Sequence, residues 1–316
     1  MSENVKDISM KEEKDLIKKM ILMVNPGDCR EIRETLNMTE KGTVKNSMEN
    51  YVTVLRKDPL LVGSLRYNRL TEKIDVTKVL WWNKEPCVLT NKGRKALRYF
   101  FEKYYGLFNE SVMDDALDLE AYSKEYHPIC EYLETLEWDG KERIRNVLKV
   151  YMGADDSDMV YEMLKHFMMG ALNRIYCPGC KFDEMLCLVG QQGAGKSTFF
   201  RFLALDDQWF SDSLKNLNME KPYELLRGHW ILEMSEMTAA ISAKSIEETK
   251  SFLSRMKETH RNPYEKYEED RPRQCVFAGS SNNRQFIPFD RTGARRFLPI
   301  EIDSSKAEKH ILDDEP

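Results

Sequence analysis

The sequence predicts an α/β fold, in which a parallel sheet with flanking helices follows a mostly helical α+β region. Three continuous apolar runs support this prediction, because a strand that is covered on both faces of a parallel sheet is apolar throughout. The runs are Met185–Val189, residues 230–232 and residues 275–278, and helical segments separate them. Strands that alternate with helices in this way are typical of a βα core.

The chain before this core is predicted to contain helices and a few short strands. Apolar residues recur on one face of residues 10–24, which indicates an amphipathic helix, and alternation around Ile74 and Val76 indicates strands. We therefore expect three segments. They are an N-terminal helical extension (1–38), a mostly helical α+β accessory region (39–150) and the α/β core (151–316).

Length and composition limit the class of protein. The 316 residues are enough for one core of roughly 150 to 200 residues and a smaller companion. No apolar run approaches the roughly 20 residues that span a bilayer, and the N-terminus is charged, so we expect a cytoplasmic protein without a membrane segment. The net charge of -5 argues against a uniformly basic surface, so any contact with DNA must be local.

A glycine-rich stretch follows the first apolar run directly and fits the pattern GxxxxGK[ST]. Glycines let the backbone turn tightly and direct N–H groups at phosphate oxygens, the lysine reaches the β and γ phosphates, and the hydroxyl ligates Mg²⁺. The stretch therefore predicts a P-loop nucleoside triphosphatase that uses ATP and Mg²⁺. Its residues are Gly190, Gln191, Gln192, Gly193, Ala194, Gly195, Lys196, Ser197 and Thr198.

Two glutamates follow the second apolar run. A P-loop enzyme needs a carboxylate at a neighbouring strand end for the magnesium shell, and a base that orients the attacking water. Glu233 at the strand end is our choice for magnesium and Glu236 for water activation, although the two roles can be exchanged. An exposed loop carboxylate is the alternative interpretation of Glu236.

Further polar side chains follow the third apolar run. Asn282 would lie beside the glycine-rich stretch if the strands are neighbours, where its amide would position the water or sense the γ-phosphate. Arg295 and Arg296 stand next to a Gly293-Ala294 turn, the form expected of an arginine finger that stabilises phosphoryl transfer, often from the next subunit. Ordinary surface salt bridges are the alternative interpretation of both arginines.

The order of these motifs resembles the virulence-associated protein E (VapE, or VirE) family of phage and mobile-element ATPases, which is related in motif order to superfamily 3 replicative helicases. The resemblance covers about residues 40–316. Its motifs are Tyr67-Asn68, Tyr126-His127-Pro128, Trp138-Asp139-Gly140, Pro178-Gly179-Cys180-Lys181-Phe182-Asp183, the Gly190 to Thr198 stretch, Trp209-Phe210-Ser211-Asp212, Glu233-Met234-Ser235-Glu236, Lys250-Ser251-Phe252-Leu253-Ser254-Arg255, Arg261-Asn262-Pro263-Tyr264 and Gly293-Ala294-Arg295-Arg296-Phe297.

This resemblance implies a P-loop core of the AAA+ or superfamily 3 helicase type, and an ATP-driven DNA helicase or translocase in the replication of a phage, prophage or mobile element. It also implies partners: single-stranded DNA, further copies of the chain in a ring for which a hexamer is one candidate, and a primase or initiator. Two departures exist. Glu233 and Glu236 are separated by two residues, whereas superfamily 3 helicases usually have adjacent acidic residues. Relatives also continue past residues 311–315, so we expect a truncated core.

In superfamily 3 helicases a hairpin from the region between the acidic residues and the third strand grips the DNA backbone. Basic groups contact phosphates and an aromatic ring stacks on a base, so the candidates here are Lys250, Arg261, Tyr264 and Lys266. A solvated helix and loop whose charges pair locally is the alternative. For the whole protein, two other functions stay open, namely a small-molecule kinase with a P-loop and a nucleotide-dependent regulatory switch.

Overall fold

The computed structural model describes residues 14–214, 222–235, 243–260, 268–282 and 294–313. By its internal contacts the chain divides into two compact units, Met1–Pro128 and Ile129–Pro316. The expected three segments, with boundaries after residues 38 and 150, stay a prediction. Among the described residues, no helix has both the length and the apolar character to cross a membrane.

The first unit combines helices with one small antiparallel sheet, in agreement with the predicted α+β composition. Helix α1 includes residues 14–23. The other elements are α2 (Pro26–Glu34), α3 (Met48–Lys57), β1 (Leu65–Asn68), β2 (Lys73–Val76), β3 (Cys87–Val88), α4 (Asn91–Phe100), the π-helical turn Phe101–Tyr105 and α5 (Glu110–Tyr122). The strands pair in the order β1-β2-β3.

Helix α4 is fixed at both ends and along one face. The Thr90 hydroxyl accepts a hydrogen bond from the Gly93 N–H and so satisfies one of the first-turn donors. Leu97 and Phe100 are fully buried in the core of this unit, and so is Phe101 in the π-helical turn that continues the helix. The remaining face of α4 is consequently turned away from that core.

The second unit contains a parallel sheet with helices around it, as predicted. Its helices are α6 (Pro128–Glu134), which begins at the boundary, α7 (Arg143–Met152), α8 (Asp158–Tyr176), α9 (Lys196–Leu203), α10 (Pro222–Leu226) and α11 (Ala243–Leu253). Its strands are β4 (Met185–Val189), β5 (Phe210–Ser211), β6 (Ile231–Met234), β7 (Lys257–His260), β8 (Glu269–Pro272), β9 (Val276–Ser281) and β10 (Phe297–Glu301).

Five strands form the sheet in the order β10-β4-β9-β6-β5, and all four neighbouring pairs are parallel. The three predicted strands are β4, β9 and β6, and every residue of β4 and β9 is buried. The strands β5 and β10 are not predicted from the sequence. Both lie at an edge and include residues that are not buried, so neither has a continuous apolar run.

The strand order places the carboxyl end of β4 at a change of direction in the sheet. From β4 the chain crosses to β5 at the far edge and returns through β6 to β9, and then passes to β10 on the other side of β4. In open α/β sheets, ligands bind outside the carboxyl ends of the strands at such a point. The glycine-rich stretch begins there, because β4 ends at Val189.

The strands β7 and β8 form a separate antiparallel pair, and a buried arginine attaches this pair to the sheet. The Arg273 guanidinium donates from Nε to the Glu258 carboxylate at 2.9 Å and from Nη1 to the Phe252 carbonyl. It also lies 5.2 Å from the ring centroid of Phe277 on β9. Its side chain is only 1% exposed, so Arg273 is an anchor of the pair and not a surface cation.

We expect Arg273→Met to destabilise the second unit by about 3 kcal/mol, because it leaves the Glu258 carboxylate buried without its main partner. The matched control is Lys257→Met on the same strand pair. Lys257 bonds to Asp270 at the surface, where an ion pair contributes little, so stability should hardly change. Urea unfolding followed by tryptophan fluorescence measures both, and equal losses in the two variants would contradict the anchoring role.

Candidate functional site

The glycine-rich stretch forms a tight turn between β4 and α9, and its glycines are required by the backbone. Gly193 and Gly195 have φ values of +79° and +78°, the left-handed region that favours glycine. At Gly190 a Cβ atom would lie 2.6 Å from the Ile302 carbonyl oxygen, so no larger residue fits. The Gly190 N–H also donates to the Ser281 carbonyl at 3.1 Å, which ties the turn to β9.

The turn opens onto the first residues of α9. Gly195 precedes this helix in a left-handed conformation, and no side chain among the described residues caps it. The first N–H groups of a helix lack partners within the helix and carry partial positive charge, so they attract anions. A turn of this form at a helix N-terminus is suited to phosphate.

Lys196 is held at the mouth of the turn by three oxygen atoms. Its ammonium donates to the Gly190 and Gln191 carbonyls at 2.8 Å each and to Asn282 Oδ1 at 2.9 Å. Burial lowers the pKa of Lys196, an effect that the nearby Glu233 opposes. β4 and β9 are neighbours, so the condition stated for Asn282 is met.

Ser197 and Glu233 form the second polar contact of the site. The Ser197 hydroxyl donates to Glu233 Oε1 at 2.9 Å, and Glu233 is fully buried in β6. Burial raises the pKa of the Glu233 carboxyl, and the Ser280 and Ser197 hydroxyls oppose this rise. Its second oxygen, Oε2, has no hydrogen-bond partner within the described ranges. A buried carboxylate oxygen without a partner is costly unless another group completes it.

Ser197 Oγ and Glu233 Oε1 lie 2.9 Å apart, and both are oxygen groups of the kind that Mg²⁺ takes as ligands. In the described part of the chain, no three His, Cys, Asp or Glu side chains cluster as a metal site. Mg²⁺ does not need such a cluster, because it usually keeps several waters and takes further oxygens from phosphates.

The two neighbouring arginines are placed differently. Arg296 donates from Nε to Asp183 Oδ2 at 2.8 Å. The Ser254 hydroxyl, which donates to the Lys250 carbonyl at 2.8 Å, lies 3.4 Å from the same carboxylate oxygen. Arg295 is exposed and has no hydrogen bond or ion pair with any described residue. The salt-bridge interpretation therefore fits Arg296, whereas Arg295 has the free guanidinium that a finger requires.

The predicted nucleic-acid residues are largely outside the described ranges. Arg261, Tyr264 and Lys266 fall between β7 and β8, and Glu236 follows β6, so the structure describes none of them. Lys250 is described. Its side chain is 7% exposed and its ammonium donates at 2.7 Å to Glu247, whose side chain is 71% exposed, and its predicted contact with phosphate stays a prediction.

Sequence reasoning missed two acidic residues near these groups. Asp212 follows β5, and its charge raises the pKa of Glu233. Asp183 precedes β4 and holds Arg296. Both belong to short motifs of the family resemblance, but the sequence predicts no role for either, since β5 has no apolar run that marks Asp212 as a strand end. The partner of Arg296 lies 113 residues away in the chain, beyond any local pattern.

The family model of the virulence-associated protein E-like domain matches residues 133–315 of this chain. This match includes more than half of the 316 residues. The chain belongs to the virulence-associated protein E-like family. The match includes β4 to β10 and therefore every described residue of the site.

Among solved structures, this VapE-like chain is similar to the C-terminal region of NrS-1. An A-form apo structure of that region is 14% identical with a TM-score of 0.44, and the match covers 86% of this chain and 65% of that one. A second apo structure is 17% identical with a TM-score of 0.40, over 76% and 59%. This chain thus spans less than two thirds of those chains. No curated protein matches.

In this VapE-like chain, we expect the Arg296 and Asp183 substitutions to be strongly coupled. Arg296→Ala should destabilise the fold by about 1 to 3 kcal/mol, because Asp183 stays behind as a nearly buried carboxylate. The free energy of unfolding of the double variant with Asp183→Ala should fall by less than the sum of the two single decreases. The control cycle uses Lys306 and Asp303, a pair at 3.9 Å in which the lysine is exposed and the aspartate is half-buried. Additive losses at Asp183 and Arg296 in urea unfolding would show that the pair is not structural.

Proposed function

We propose that this chain is a Mg²⁺-dependent ATPase of the AAA+ or superfamily 3 helicase type, which acts on DNA as a helicase or translocase during the replication of a phage, prophage or mobile element. One observation carries the proposal. Three parallel strands bring Lys196, Glu233 and Asn282 to one glycine-rich turn, with Lys196 Nζ 2.9 Å from Asn282 and Ser197 Oγ 2.9 Å from Glu233.

The contacts of Lys196 indicate how the site takes a phosphate. An ammonium group has three N–H donors, and the three oxygen partners occupy all of them. A phosphate oxygen must therefore replace one partner. The carbonyls of Gly190 and Gln191 belong to the backbone of the turn, whereas the Asn282 amide is on an exposed side chain. Asn282 is the partner that exchanges, and this makes it the sensor of the γ-phosphate.

Ser197 and Glu233 are the residues that would hold Mg²⁺ beside the phosphates. The ion supplies positive charge that neutralises the phosphate oxygens during transfer. Glu233 Oε1 accepts a hydrogen bond from Ser197, and its free Oε2 can orient a water of the magnesium shell. Glu236 keeps the proposed role of water activation, two residues beyond the end of β6.

Arg295 is the proposed finger because its guanidinium has no partner among the described residues, while Arg296 is held by Asp183. An arginine that is exposed in one subunit can reach the phosphates of the next, which fits a homo-oligomeric ring. Mixing subunits tests this arrangement directly. The same ring would surround DNA, and Arg261, Tyr264 and Lys266 keep their predicted role in contacting it.

ATP turnover measured with and without single-stranded DNA tests the whole proposal. A DNA motor hydrolyses ATP and does so faster with DNA. A small-molecule kinase shows little turnover without its acceptor, and a regulatory switch binds ATP but turns it over slowly whether DNA is present or not. Membership in the virulence-associated protein E-like family favours the motor, since the resemblance implies phage and mobile-element ATPases.

We expect Lys196→Ala to abolish ATP turnover and to weaken nucleotide binding strongly, because the substitution removes the cation at the phosphates. The matched control is Lys165→Ala, since Lys165 is a half-exposed lysine of α8 that pairs with Glu162. Steady-state phosphate release and the binding of a fluorescent ATP analogue measure both effects. Normal turnover in Lys196→Ala would remove the basis of the nucleotide site.

We expect Arg295→Ala to lower kcat by a factor on the order of 10³ with almost unchanged nucleotide affinity, because a finger acts chiefly in the transition state. Mixing this variant with Lys196→Ala should restore part of the activity, since an intact turn then faces an intact Arg295 at some junctions. The controls are oligomers that contain only one of the two variants, and these should stay inactive. Absence of recovery in mixed oligomers would show that Arg295 acts within its own subunit or not at all.

A further inference from the structure

Helix α4 of the first unit carries a basic face that has no role in the ATPase. Three lysines and one tyrosine recur on it at helical spacing, and all four are exposed: Lys92, Lys95, Tyr99 and Lys103. Lys103 belongs to the π-helical turn that continues α4. The opposite face is buried through Gly93, Leu97 and Phe100. Packing of the buried face against the core therefore determines which face of α4 is exposed.

The arginines of α4 are neutralised by acidic groups, and the lysines are not. Arg94 pairs with Asp114 at 2.6 Å and Asp118 at 3.6 Å, and Arg98 pairs with Glu102 at 2.9 Å. A fourth carboxylate, that of Glu110, also bonds to Arg98. By contrast, the three lysines form no ion pair with any described residue. Four carboxylates pair with two arginines, so these groups and the three lysines together have a net charge of +1, and no described residue forms an ion pair with a lysine of this face.

Aromatic rings and a cleft accompany these charges. The Lys103 ammonium lies 5.7 Å from the ring centroid of Tyr99 and 5.3 Å from that of Tyr104. A cleft of about 460 Å³ adjoins the first turn of α4, where Asn91 and Arg94 line it. Its wall includes Tyr67 and Tyr122, whose ring centroids are 4.2 Å apart, and Tyr122 is 53% exposed. The wall also includes two acidic residues, Glu72 and Asp118, and Asp118 is paired with Arg94.

We propose that this surface, defined by Lys92, Lys95, Tyr99, Lys103 and the adjoining cleft, binds single-stranded DNA. The lysines contact successive phosphates, and an unpaired base enters the cleft and stacks on Tyr122. Cations along a backbone with aromatic platforms beside them are what unpaired strands require. In a duplex the bases are already stacked on one another, so the cleft would stay unused. The proposal extends the action on DNA to the first unit and does not require ATP hydrolysis.

The first test replaces Lys92, Lys95 and Lys103 together by glutamine, which removes three charges and keeps a good helix former. Binding of a labelled oligothymidine is measured by anisotropy at several salt concentrations. We expect roughly tenfold weaker binding or more at low salt, and a logarithmic salt slope reduced by roughly 2, since each phosphate contact on a single strand contributes about 0.7. The matched control replaces the exposed lysines Lys41, Lys45 and Lys84 by glutamine and should bind like the parent.

The second test concerns the base. Tyr122→Ser should weaken binding roughly tenfold because a stacking platform is lost, whereas Tyr122→Phe keeps the ring and should bind like the parent. Photo-cross-linking with a bromodeoxyuridine oligonucleotide should attach DNA to tryptic peptides that contain Tyr99 or Tyr122. Both tests are repeated with Arg261→Ala and Lys266→Ala present, so that DNA on the predicted hairpin does not mask the effect.

The outcomes separate this proposal from the ATPase. If the lysine variant keeps the affinity and salt slope of the parent, or if cross-links avoid both peptides, the surface does not bind DNA and the proposal is wrong. If single-stranded RNA of the same sequence displaces the DNA at lower concentration, the occupant is RNA, which overturns it as well. A parent protein that binds DNA through this surface but hydrolyses no ATP would refute the proposed function alone.

Discussion

The parallel pairing of β4 with β9 is the constraint on which the candidate site depends. It lets the Gly190 N–H bond to the Ser281 carbonyl and brings Asn282 to within 2.9 Å of the Lys196 ammonium. β6 pairs with β9 on its other side, which brings Glu233 to Ser197 on α9. Three segments that are far apart in the chain thus meet at the carboxyl ends of the strands, because parallel strands end on the same side of a sheet.

Two buried charged groups of the second unit, the Arg273–Glu258 pair and the Glu233 carboxylate, differ in how completely their hydrogen-bond partners satisfy them. Arg273 and Glu258 are both nearly buried, and each completes the other, so the pair needs no further group. Glu233 is fully buried as well, yet one of its oxygens has no partner in the described part of the chain. Since a buried carboxylate is costly without full compensation, the incomplete partner set of Glu233 is a reason to regard it as functional.

Neighbouring residues of the same type can have different roles because the backbone turns them to different surroundings. Arg296 points to Asp183 and so connects the start of β10 to the residues before β4. Arg295, the residue before it, is exposed. The same contrast exists in the first unit, where Arg94 and Arg98 on α4 are paired with carboxylates while the lysines beside them are not. A basic cluster in a sequence therefore does not by itself indicate a surface for an anion.

The sequence by itself determined the α/β class, the strands that are apolar throughout and the glycine-rich turn, because burial on both faces of a sheet and left-handed glycines leave local patterns. It also determined the family, through short motifs in a constant order. Only the tertiary structure decided that Asn282 meets Lys196, that Arg296 is paired and Arg295 is exposed, and that Lys250 is buried. Strand order and contacts between distant residues decide these outcomes, and a one-dimensional pattern contains neither.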